Sequence, residues 1–364
     1  MANVKLSNVI RRAQTKVDKD NTDLIFYVGG EHIESENIRV HSRGIIAEST
    51  IGPMFYYGFK AGDFLLVSRN PHLKKAGLVD FDGICSEKTF VLETADSDVL
   101  LPEFLPFVLQ NERFWDYAYR HRHGSTNTFV NWSTLANYEF ELPDLETQRK
   151  LADVLWSIND TMDAYKKLIS ATDELVKSQF MGMIQTAEKY EPLLDHVDVL
   201  YGFPFNSKLF NTNGQGVPLL RIRDINSGFS DTYTTEVADE QYFIENGDCV
   251  VGMDGNFEIV KWSHGQAYLN QRVCKFTPKN IKREYMIRYL RSTLKQIEEV
   301  ANSTTVKHLS AKDIRKMMLP IVSPENQEWF EEFSLQSDKS KYNASDAMRL
   351  EIKNNTIVKG WNGA

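Results

Sequence analysis

Cationic side chains gather in two stretches of the N-terminal half, SRNPHLKKAG at 68–77 and RFWDYAYRHRHGSTNT at 113–128. Arginine fits phosphate and guanine with paired hydrogen bonds, and small hydroxyl side chains contact a nucleic-acid backbone. These stretches therefore predict a DNA-binding surface. The structural alternatives are a charged hairpin and a solvated helix end, where cations are favoured anyway. The candidate residues are Arg69, Asn70, His72, Lys74, Lys75, Arg120, His121, Arg122, His123, Ser125 and Thr126.

The C-terminal half carries amide and cationic side chains in corresponding places, RIRD at 221–224, GMDGNFEIVKW at 252–262, LNQRV at 269–273 and NSTTVKH at 302–308. Such side chains match the donor and acceptor pattern of base edges. Each stretch alone fits a structural role better than a binding role, and recurrence in equivalent places brings the two interpretations into balance. The candidates are Arg221, Arg223, Asp254, Asn256, Asn270, Gln271, Arg272, Ser303, Thr304 and Lys307.

The motifs of DNA-modifying and DNA-cutting enzymes are missing from the sequence. SRNPHL has one Pro and no following aromatic residue, so it is not the Asp/Asn-Pro-Pro-Tyr/Phe loop of amino-methylating enzymes. Gly214 and Gly216 fit a surface turn rather than a cofactor loop, and no phosphate-cradling G-x-x-x-x-G-K-S/T motif occurs. Pro143–Asp144 lacks the acid-x-Lys triplet of a nuclease core, and the histidines lack metal-ligand spacing. We predict no catalytic residue and no metal.

Composition restricts the class of protein further. The 364 residues, 42% hydrophobic and 25% charged, are enough for two or more domains. The net charge of −8 argues mildly against a nucleic-acid partner, so local basic stretches must decide. Three cysteines without a Cys-x-x-Cys pair are typical of buried thiols in a reducing compartment. No window is apolar enough for a transmembrane helix or a signal peptide, and we expect a cytoplasmic protein.

The second half of the chain resembles the first half in sequence. Such an internal repeat indicates a duplicated architecture. Six segments of the first half match six of the second in the same order. The matched pairs are 4–13 with 192–202, 24–35 with 217–228, 61–70 with 246–255, 81–93 with 265–277, 102–120 with 283–301, and 124–143 with 302–320. The pattern predicts two mixed α/β globules, each of which ends in Leu-Pro before a Gln-containing helix.

The helix after the first globule has a heptad seam. Apolar residues alternate at three- and four-residue steps, with Thr172 as one polar member. About 37 residues at 1.5 Å per residue would make a rod of roughly 55 Å, which must bury its seam against another helix. The predicted seam is Leu151, Leu155, Ile158, Met162, Tyr165, Ile169 and Val176.

The helix after the second globule is the natural partner of this rod. Its fitting seam residues are Trp329, Phe330, Phe333, Ala344, Met348 and Ile352. Ser337 and Lys341 do not fit an apolar seam. Because a whole globule separates the two helices, we predict an antiparallel coiled coil. The fold class is therefore α+β, with two tandem mixed α/β domains separated by two long helices.

FDGICSEKTFVLE, LLPEFLPFVLQNERFW, GSTNTFVNWSTLANYEFELPDLETQRKLADVL and LLRIRDI…GDCVVGMDG…LNQRVCKF resemble the specificity subunit of Type I restriction–modification systems. The resemblance spans nearly the whole chain. It implies target-recognition domains at 1–143 and 187–321, a central spacer helix at 144–186, and a C-terminal helix at 322–364 that pairs with the spacer.

The resemblance also implies the partners. Each globule would read one half of a bipartite, asymmetric target on double-stranded DNA. The helices would set the spacing and dock two modification (methyltransferase) subunits, which restriction (endonuclease/translocase) subunits join afterwards. The chain would bind no cofactor, because S-adenosylmethionine and ATP with Mg²⁺ would belong to those partner subunits.

Two other classes of function stay open at this point. One is a stand-alone site-specific methyltransferase or nuclease, against which the missing motifs count. The other is a scaffold or adaptor of a defence complex that holds partners without reading sequence. Purified protein that alone cuts or methylates DNA would favour the first, and unselective DNA binding would favour the second.

Overall fold

Strands and helices follow the same order in both halves of the computed structural model, which describes residues 2–255, 257–301 and 307–359. In the first half the strands are β1 (Ala2–Lys5), β2 (Ile10–Ala13), β3 (Phe26–Val28), β4 (Gly44–Ile45), β5 (Phe55–Phe59), β6 (Phe64–Val67), β7 (Ala76–Leu78), β8 (Gly83–Ser86), β9 (Thr89–Thr94) and β10 (Glu139–Leu142). The helices there are α1 (Leu6–Val9), α2 (Leu105–Leu109), α3 (Glu112–Arg120), α4 (Trp132–Leu135) and the long α5 (Leu145–Ile184).

The second half repeats this series. Its strands are β11 (Lys189–Pro192), β12 (Val197–Tyr201), β13 (Phe210–Asn211), β14 (Val217–Leu220), β15 (Tyr233–Thr234), β16 (Phe243–Ile244), β17 (Cys249–Gly252), β18 (Ile259–Lys261), β19 (Ala267–Leu269), β20 (Val273–Pro278) and β21 (Met318–Ile321). Its helices are α6 (Leu193–His196), α7 (Arg283–Ala301), α8 (Ala311–Arg315) and the long α9 (Pro324–Lys359).

The sheets confirm the duplication. The order β2-β9-β6-β7 in the first half corresponds to β12-β20-β17-β18 in the second. The order β4-β3-β8-β5 corresponds to β15-β14-β19-β16, to which β13 adds an edge strand. In each of these sheets one pair is parallel, β3 with β8 and β14 with β19. The two-stranded pairs β1-β10 and β11-β21 also correspond. The predicted segment matches fall on equivalent elements, with α7 in the place of α2 and α3, and residues 302–306 of the last match lie outside the described residues.

The central strand of each half is buried on both faces. Alternate residues of a strand point to opposite faces. Phe64 and Leu66 of β6 therefore pack into one apolar cluster with α2 and α3, while Leu65 and Val67 pack into another. Cys249 and Val251 of β17 likewise belong to one cluster and Val250 to another. Burial on both faces explains why FLLV and CVVG read as continuous apolar runs.

The described contacts divide the chain into two compact units. The first comprises the residues up to Lys166 together with the chain from Ser345, and the second runs from Lys167 to Ala344. This division cuts through α5 and α9, whereas the sequence-based boundaries separate whole elements. Those boundaries remain a prediction.

Both long helices begin as the sequence predicts. The strand β10 ends at Leu142, and the side chain of Asp144 caps α5 by accepting a hydrogen bond from the Thr147 amide at 2.9 Å. In the second half β21 contains Leu319–Pro320, and the Ser323 hydroxyl accepts from the Asn326 amide at 3.2 Å. The first Leu-Pro thus ends its strand at Leu142, with Pro143 directly after it, and the second lies within β21.

In the second unit, α5 and α9 run antiparallel. The Phe180 and Phe330 ring centroids lie 5.5 Å apart. Toward the other end of this contact, the Lys341 ammonium lies 2.8 Å from an Asp173 carboxylate oxygen. Because residue numbers fall along α5 as they rise along α9, the predicted antiparallel direction is confirmed for this part of the chain.

The predicted seam of α5 is buried unevenly. Leu155 and Val176 are buried in the clusters of the first and second unit, and Leu151 packs against the first of these clusters. The other seam residues, Ile158, Met162, Tyr165, Ile169 and Thr172, are half-buried. The seam therefore packs most tightly beside the globules.

The seam prediction for α9 was partly wrong. Phe330 is fully buried and Ala344 is buried as predicted, but the Trp329 side chain is 48% exposed and stacks on Phe333. Ser337, which the apolar pattern excluded, is buried, and Lys341 is half-buried. Lys341 reaches Asp173 and Asp338, so a charge pair occupies a position where an apolar residue was expected. Ile352 has no described side chain.

The three cysteines are free and buried. Burial raises the pKa of the Cys85 and Cys274 thiols to about 12 and that of Cys249 to about 11, which keeps them protonated at neutral pH. No helix within the described ranges combines the length and the apolar character needed to cross a membrane.

Substitutions of two adjacent residues on α9 should differ sharply in their effect on the stability of the protein. Phe330→Ala leaves a cavity in the core of the second unit, and we expect its free energy of unfolding to fall by about 3–5 kcal/mol. Trp329→Ala removes a half-exposed ring and should cost less than about 1 kcal/mol. Urea denaturation of both variants measures the difference. Equal losses would contradict the burial of Phe330 in this helix contact.

Candidate nucleic-acid interface

The two basic stretches of the first half lie side by side. The Asn70 amide donates to the Thr128 carbonyl oxygen at 2.7 Å, and the Val130 amide donates to the Ser68 carbonyl oxygen at 2.9 Å. Phe129 forms the bridge between these bonds, opposite Arg69. We call residues 68–75 and 121–130 loop pair 1. The fold thus joins candidates about 50 residues apart in sequence into one surface.

The second half fastens its loops in the same way. The Gly255 amide donates to the Lys307 carbonyl oxygen at 3.2 Å, and the Leu309 amide donates to the Met253 carbonyl oxygen at 2.7 Å. Between these bonds Asp254 bridges His308, as Arg69 bridges Phe129. We call residues 253–255 and 307–309 loop pair 2.

A third backbone hydrogen bond also recurs. The Ser68 amide donates to the Lys88 carbonyl oxygen at 2.7 Å, and the Met253 amide donates to the Arg272 carbonyl oxygen at 2.9 Å. Lys88 is exposed and occupies the place of Arg272, yet it was not among the sequence candidates. The match of 81–93 with 265–277 already aligns these two cations. The repeat in the sequence was therefore sufficient to identify Lys88 as a candidate.

Within loop pair 1, Lys74 and Lys75 are held by the protein. The Lys74 ammonium lies 2.7 Å from Glu112 and 3.0 Å from Glu36. Burial lowers the pKa of Lys74, but hydrogen bonds to Glu112 and Glu36 outweigh burial and leave it raised. The Lys75 ammonium donates to the Gly30 carbonyl oxygen at 2.6 Å. These contacts favour the charged-hairpin interpretation for these two residues.

Asn70 shapes the loop through its backbone. Its φ of 49° lies in the left-handed region that Asn tolerates better than most residues. Its side-chain oxygen also accepts a long hydrogen bond from the Thr128 hydroxyl, at 3.5 Å. Asn70 therefore holds the two segments of loop pair 1 together.

The other candidates of loop pair 1 face solvent. The exposed set comprises Arg69, His72, His121, Arg122, His123, Ser125 and Thr126, and the neighbouring Arg120 at the end of α3 is exposed as well. The Arg122 guanidinium lies 3.8 Å over the Tyr119 ring and donates to the Tyr119 carbonyl oxygen at 2.7 Å. This contact caps the end of α3 and also holds the guanidinium in one place, so geometry permits both interpretations of Arg122.

Loop pair 2 presents a different set of groups. The Asp254 carboxylate is shared between the His308 ring nitrogen at 2.6 Å and the Arg272 guanidinium at 3.6 Å. Arg272 is 56% exposed, and Gln271 beside it is exposed. Lys307 pairs with Glu298 at 2.9 Å. His308, which sequence analysis did not single out, thus belongs to this surface.

The half-buried Asn270 has a local contact. Its side-chain oxygen accepts a hydrogen bond from the Gln271 amide at 2.8 Å. Its carbonyl oxygen would lie 2.1 Å from a Cβ placed on Gly202, so Gly is required there. Asn256, Ser303 and Thr304 lie outside the described residues.

Arg221 and Arg223 differ in role. The Arg221 side chain is 17% exposed and pairs with Asp224 at 3.3 Å, which gives it a structural function. The Arg223 side chain is 66% exposed. It lines an open depression of about 390 Å³ with Asn226, Asp254 and Gly255, so the RIRD and GMDG segments meet at one surface.

Within the described ranges, His, Cys, Asp and Glu side chains form no cluster of three or more that could hold a metal ion. Gly214 and Gly216 lie in an exposed turn with positive φ, as predicted. The site therefore offers exposed cations, amides and aromatic rings on two similarly fastened loop pairs.

Residues 8–171 and 197–333 match the family model of the Type I restriction modification DNA specificity domain. The chain belongs to this family. The matched ranges contain both loop pairs and more than half of α5, so the sequence resemblance is confirmed.

Among curated proteins of this kind, the specificity subunit of Type I restriction enzyme EcoBI from Escherichia coli is 35% identical over 156 residues, which are 42% of this chain. The alignment covers 33% of the E. coli protein, so the chain spans about a third of that curated relative.

Solved structures share the fold over nearly the whole chain. The Type I S subunit from M. genitalium superimposes with a TM-score of 0.60 at 14% identity, covering 98% of this chain and 94% of that one. A structure concerned with assembly and conformational transition of the type I R-M system gives 0.55 at 16% identity, covering 100% and 97%. The predicted fold class is confirmed.

Two cations of loop pair 1 should respond differently to truncation. Arg122→Ala should weaken DNA binding by about 1–3 kcal/mol, because an exposed guanidinium is available to phosphate or base. Lys75→Ala should leave affinity unchanged and lower stability by roughly 1 kcal/mol, because its ammonium already bonds Gly30. Fluorescence anisotropy at one fixed salt concentration measures the affinities. Normal binding by Arg122→Ala would assign Arg122 to capping α3 alone.

Proposed function

We propose that this chain is the sequence-specific DNA-recognition subunit of a Type I restriction–modification enzyme. Each globule would read one half of a bipartite, asymmetric target on double-stranded DNA. The observation that carries the proposal is the repeated loop pair, which presents different side chains on one backbone arrangement. Such a design supplies two readers from one fold, because the donors and acceptors of a side chain determine which base edge it fits.

Equivalent positions of the loop pairs differ in charge and hydrogen-bonding capacity. Arg69 corresponds to Asp254, and Phe129 corresponds to His308. Thr128 corresponds to Lys307 through the recurring backbone hydrogen bond. Thr128 is buried, so the difference at base edges comes from the other two pairs. Because Arg69 and Phe129 offer other groups to base edges than Asp254 and His308 do, the two half-sites should have different sequences.

Chemistry would reside on the partners. The sequence lacks methyltransferase, nuclease and ATPase motifs, which supports a chain that binds no S-adenosylmethionine, ATP or Mg²⁺ itself. Cytoplasmic location follows from the proposed action on cellular DNA. The chain would assemble with modification subunits first and with restriction subunits afterwards.

A second uncharged stripe on each long helix supports docking of two modification subunits. On α5 it comprises Val154, Ser157, Thr161, Ala164, Leu168, Ala171, Leu175 and Ser178 at alternating three- and four-residue steps. On α9 it comprises Phe333, Gln336, Ser340, Asn343, Ala347 and Leu350 at the same steps. We call these sets the docking stripes.

The docking stripes occupy corresponding places. Val154 and Phe333 each follow the glutamine of their helix start, Gln148 or Gln327, by six residues. All eight α5 positions are apolar or bear at most a hydroxyl on a small side chain, and most are exposed. A groove of about 430 Å³ opens along Asp153, Val154, Ser157, Ile158 and Thr161. Heptad spacing without charge fits a partner helix, and the repeat would provide two such sites.

Methylome sequencing of cells that carry this chain with its modification partner tests the function. We expect one methylated motif with two different half-sites and a fixed unspecified spacer. Cells that carry the modification partner alone are the control and should lack the motif. A palindromic motif would contradict two different readers, and methylation by the purified chain alone would favour a stand-alone enzyme.

The docking stripe can be tested at Leu168, which is 51% exposed. Leu168→Asp should abolish co-purification of the modification subunit, because a partner helix would bury the new charge. Lys167→Asp introduces the same residue at the neighbouring exposed position outside the stripe and should leave assembly intact. Both variants should keep their unfolding free energy within about 0.5 kcal/mol. Retained assembly of Leu168→Asp would place docking elsewhere.

A further inference from the structure

The first long helix is fastened to its globule by one buried amide. Gln148 is fully buried, and its side-chain oxygen accepts a hydrogen bond from the Leu101 amide at 2.9 Å. Its side-chain nitrogen donates to the Val99 carbonyl oxygen at 2.9 Å and to the Pro143 carbonyl oxygen at 2.8 Å. The side chain thereby ties the start of α5 to the loop before α2 and to the end of β10.

The second unit contains the same fastening. The Gln327 side-chain oxygen accepts from the Lys282 amide at 3.1 Å, and its nitrogen donates to the Val322 carbonyl oxygen at 3.2 Å. Lys282 directly precedes α7, as Leu101 precedes the turn that leads into α2. An amide alone accepts and donates at once from this length of side chain, since Glu lacks the donor and Asn is shorter.

A second contact holds the first globule to α5 further along the helix. The Arg39 guanidinium pairs with Asp160 at 2.6 Å and with Asp163 at 2.9 Å. It also lies 4.7 Å over the ring of Trp156. From Gln148 to Asp160 the helix advances about 18 Å. Between these two polar contacts Leu155 packs into the core of the globule, and the Trp156 ring nitrogen donates to the Glu103 carbonyl oxygen at 2.8 Å. The polar contacts at the two ends add direction to this packing and restrict the angle between the globule and the helix.

We propose that Gln148 and Arg39 are positioning residues that hold the first globule at one angle on α5 and so make the enzyme strict about spacer length. This inference rests on the proposed function, in which α5 sets the distance between half-sites. A globule of about 140 residues has a radius on the order of 15–20 Å. A tilt of about 10° would move its reading surface by roughly 3 Å, close to the spacing of one base pair.

Gln148 and Arg39 would act through the contact between the first globule and α5, which we call the joint, and not through the DNA. Gln148 is buried, and Arg39 is engaged by two carboxylates and an indole ring, so neither belongs to loop pair 1. Loosening the joint should therefore broaden the accepted spacer and leave the bases of each half-site unchanged. A merely structural role would lower stability without changing the spacer profile.

The experiment uses the complete methyltransferase complex and DNA targets that share both half-sites but differ in spacer by one or two base pairs. Wild type should methylate one spacer. In Gln148→Glu and Arg39→Lys, the ratio of methylation at neighbouring spacers to that at the native spacer should rise about tenfold, the scale expected for loss of one or two hydrogen bonds. Arg39→Lys keeps the charge and most of the packing, so it remains informative if Gln148→Glu folds poorly.

Two controls separate the joint from other effects. The Arg43 guanidinium packs 4.0 Å over the Phe26 ring inside the same globule, so Arg43→Ala should lower stability but keep the spacer profile. Insertion of four residues near Lys166 lengthens the helix by about 6 Å. It should therefore move the preferred spacer by one or two base pairs without broadening it.

The outcomes are distinct. An unchanged spacer profile in both joint variants, or relaxation of half-site bases in place of the spacer, would overturn the inference while wild type still reads a bipartite target. A wild-type complex with no bipartite target would instead overturn the proposed function on which the inference rests. Broadened spacing in both variants with a normal Arg43→Ala profile supports the joint.

Discussion

The buried amide of Gln148 is the constraint on which the arrangement of the first globule depends. Folding removes this group from water, so each donor and acceptor needs a partner, and an unsatisfied buried group costs about 1–3 kcal/mol. Three backbone groups from two segments meet that need. Because they belong to the loop before α2 and to the connection between β10 and α5, the globule and its helix form one folded unit. Gln327 repeats this solution in the second unit with two of those bonds.

In the two loop pairs, the backbone and the side chains have separate roles. Backbone hydrogen bonds fasten both loop pairs, and backbone groups do not depend on residue identity. Side chains at the surface are therefore free to differ, as Arg69 and Asp254 do at one equivalent position. A fold of this kind tolerates new surface residues without losing the alignment of its loops. Within the surfaces, ion pairs such as Lys74 with Glu112 use some cations for the loop itself.

The long helices combine apolar and polar residues on their buried faces. Near the globules, apolar residues such as Leu155 and Phe330 pack into the cores. Where α9 continues along α5 in the second unit, Ser337 and Lys341 occupy buried or half-buried positions instead. A polar residue in a helix seam specifies register at some expense of stability. The contact between Lys341 and Asp173 fits that role, since it joins one position of α9 to one position of α5.

Local sequence patterns predict much of this architecture. The repeat predicts two matching domains, heptad spacing predicts α5, and Leu-Pro with a following Gln marks the start of both long helices. Tertiary structure alone decided that residues 68–75 and 121–130 form one surface, because backbone pairing between distant segments leaves no periodic trace. It also decided which cations are occupied: Lys75 bonds a carbonyl and Arg69 faces solvent, although the two look alike in sequence. Trp329 is half-exposed and Lys341 is half-buried, which is the reverse of what apolar periodicity predicts. Burial depends on the neighbouring helix face, whereas apolar periodicity reports only the helix's own residues.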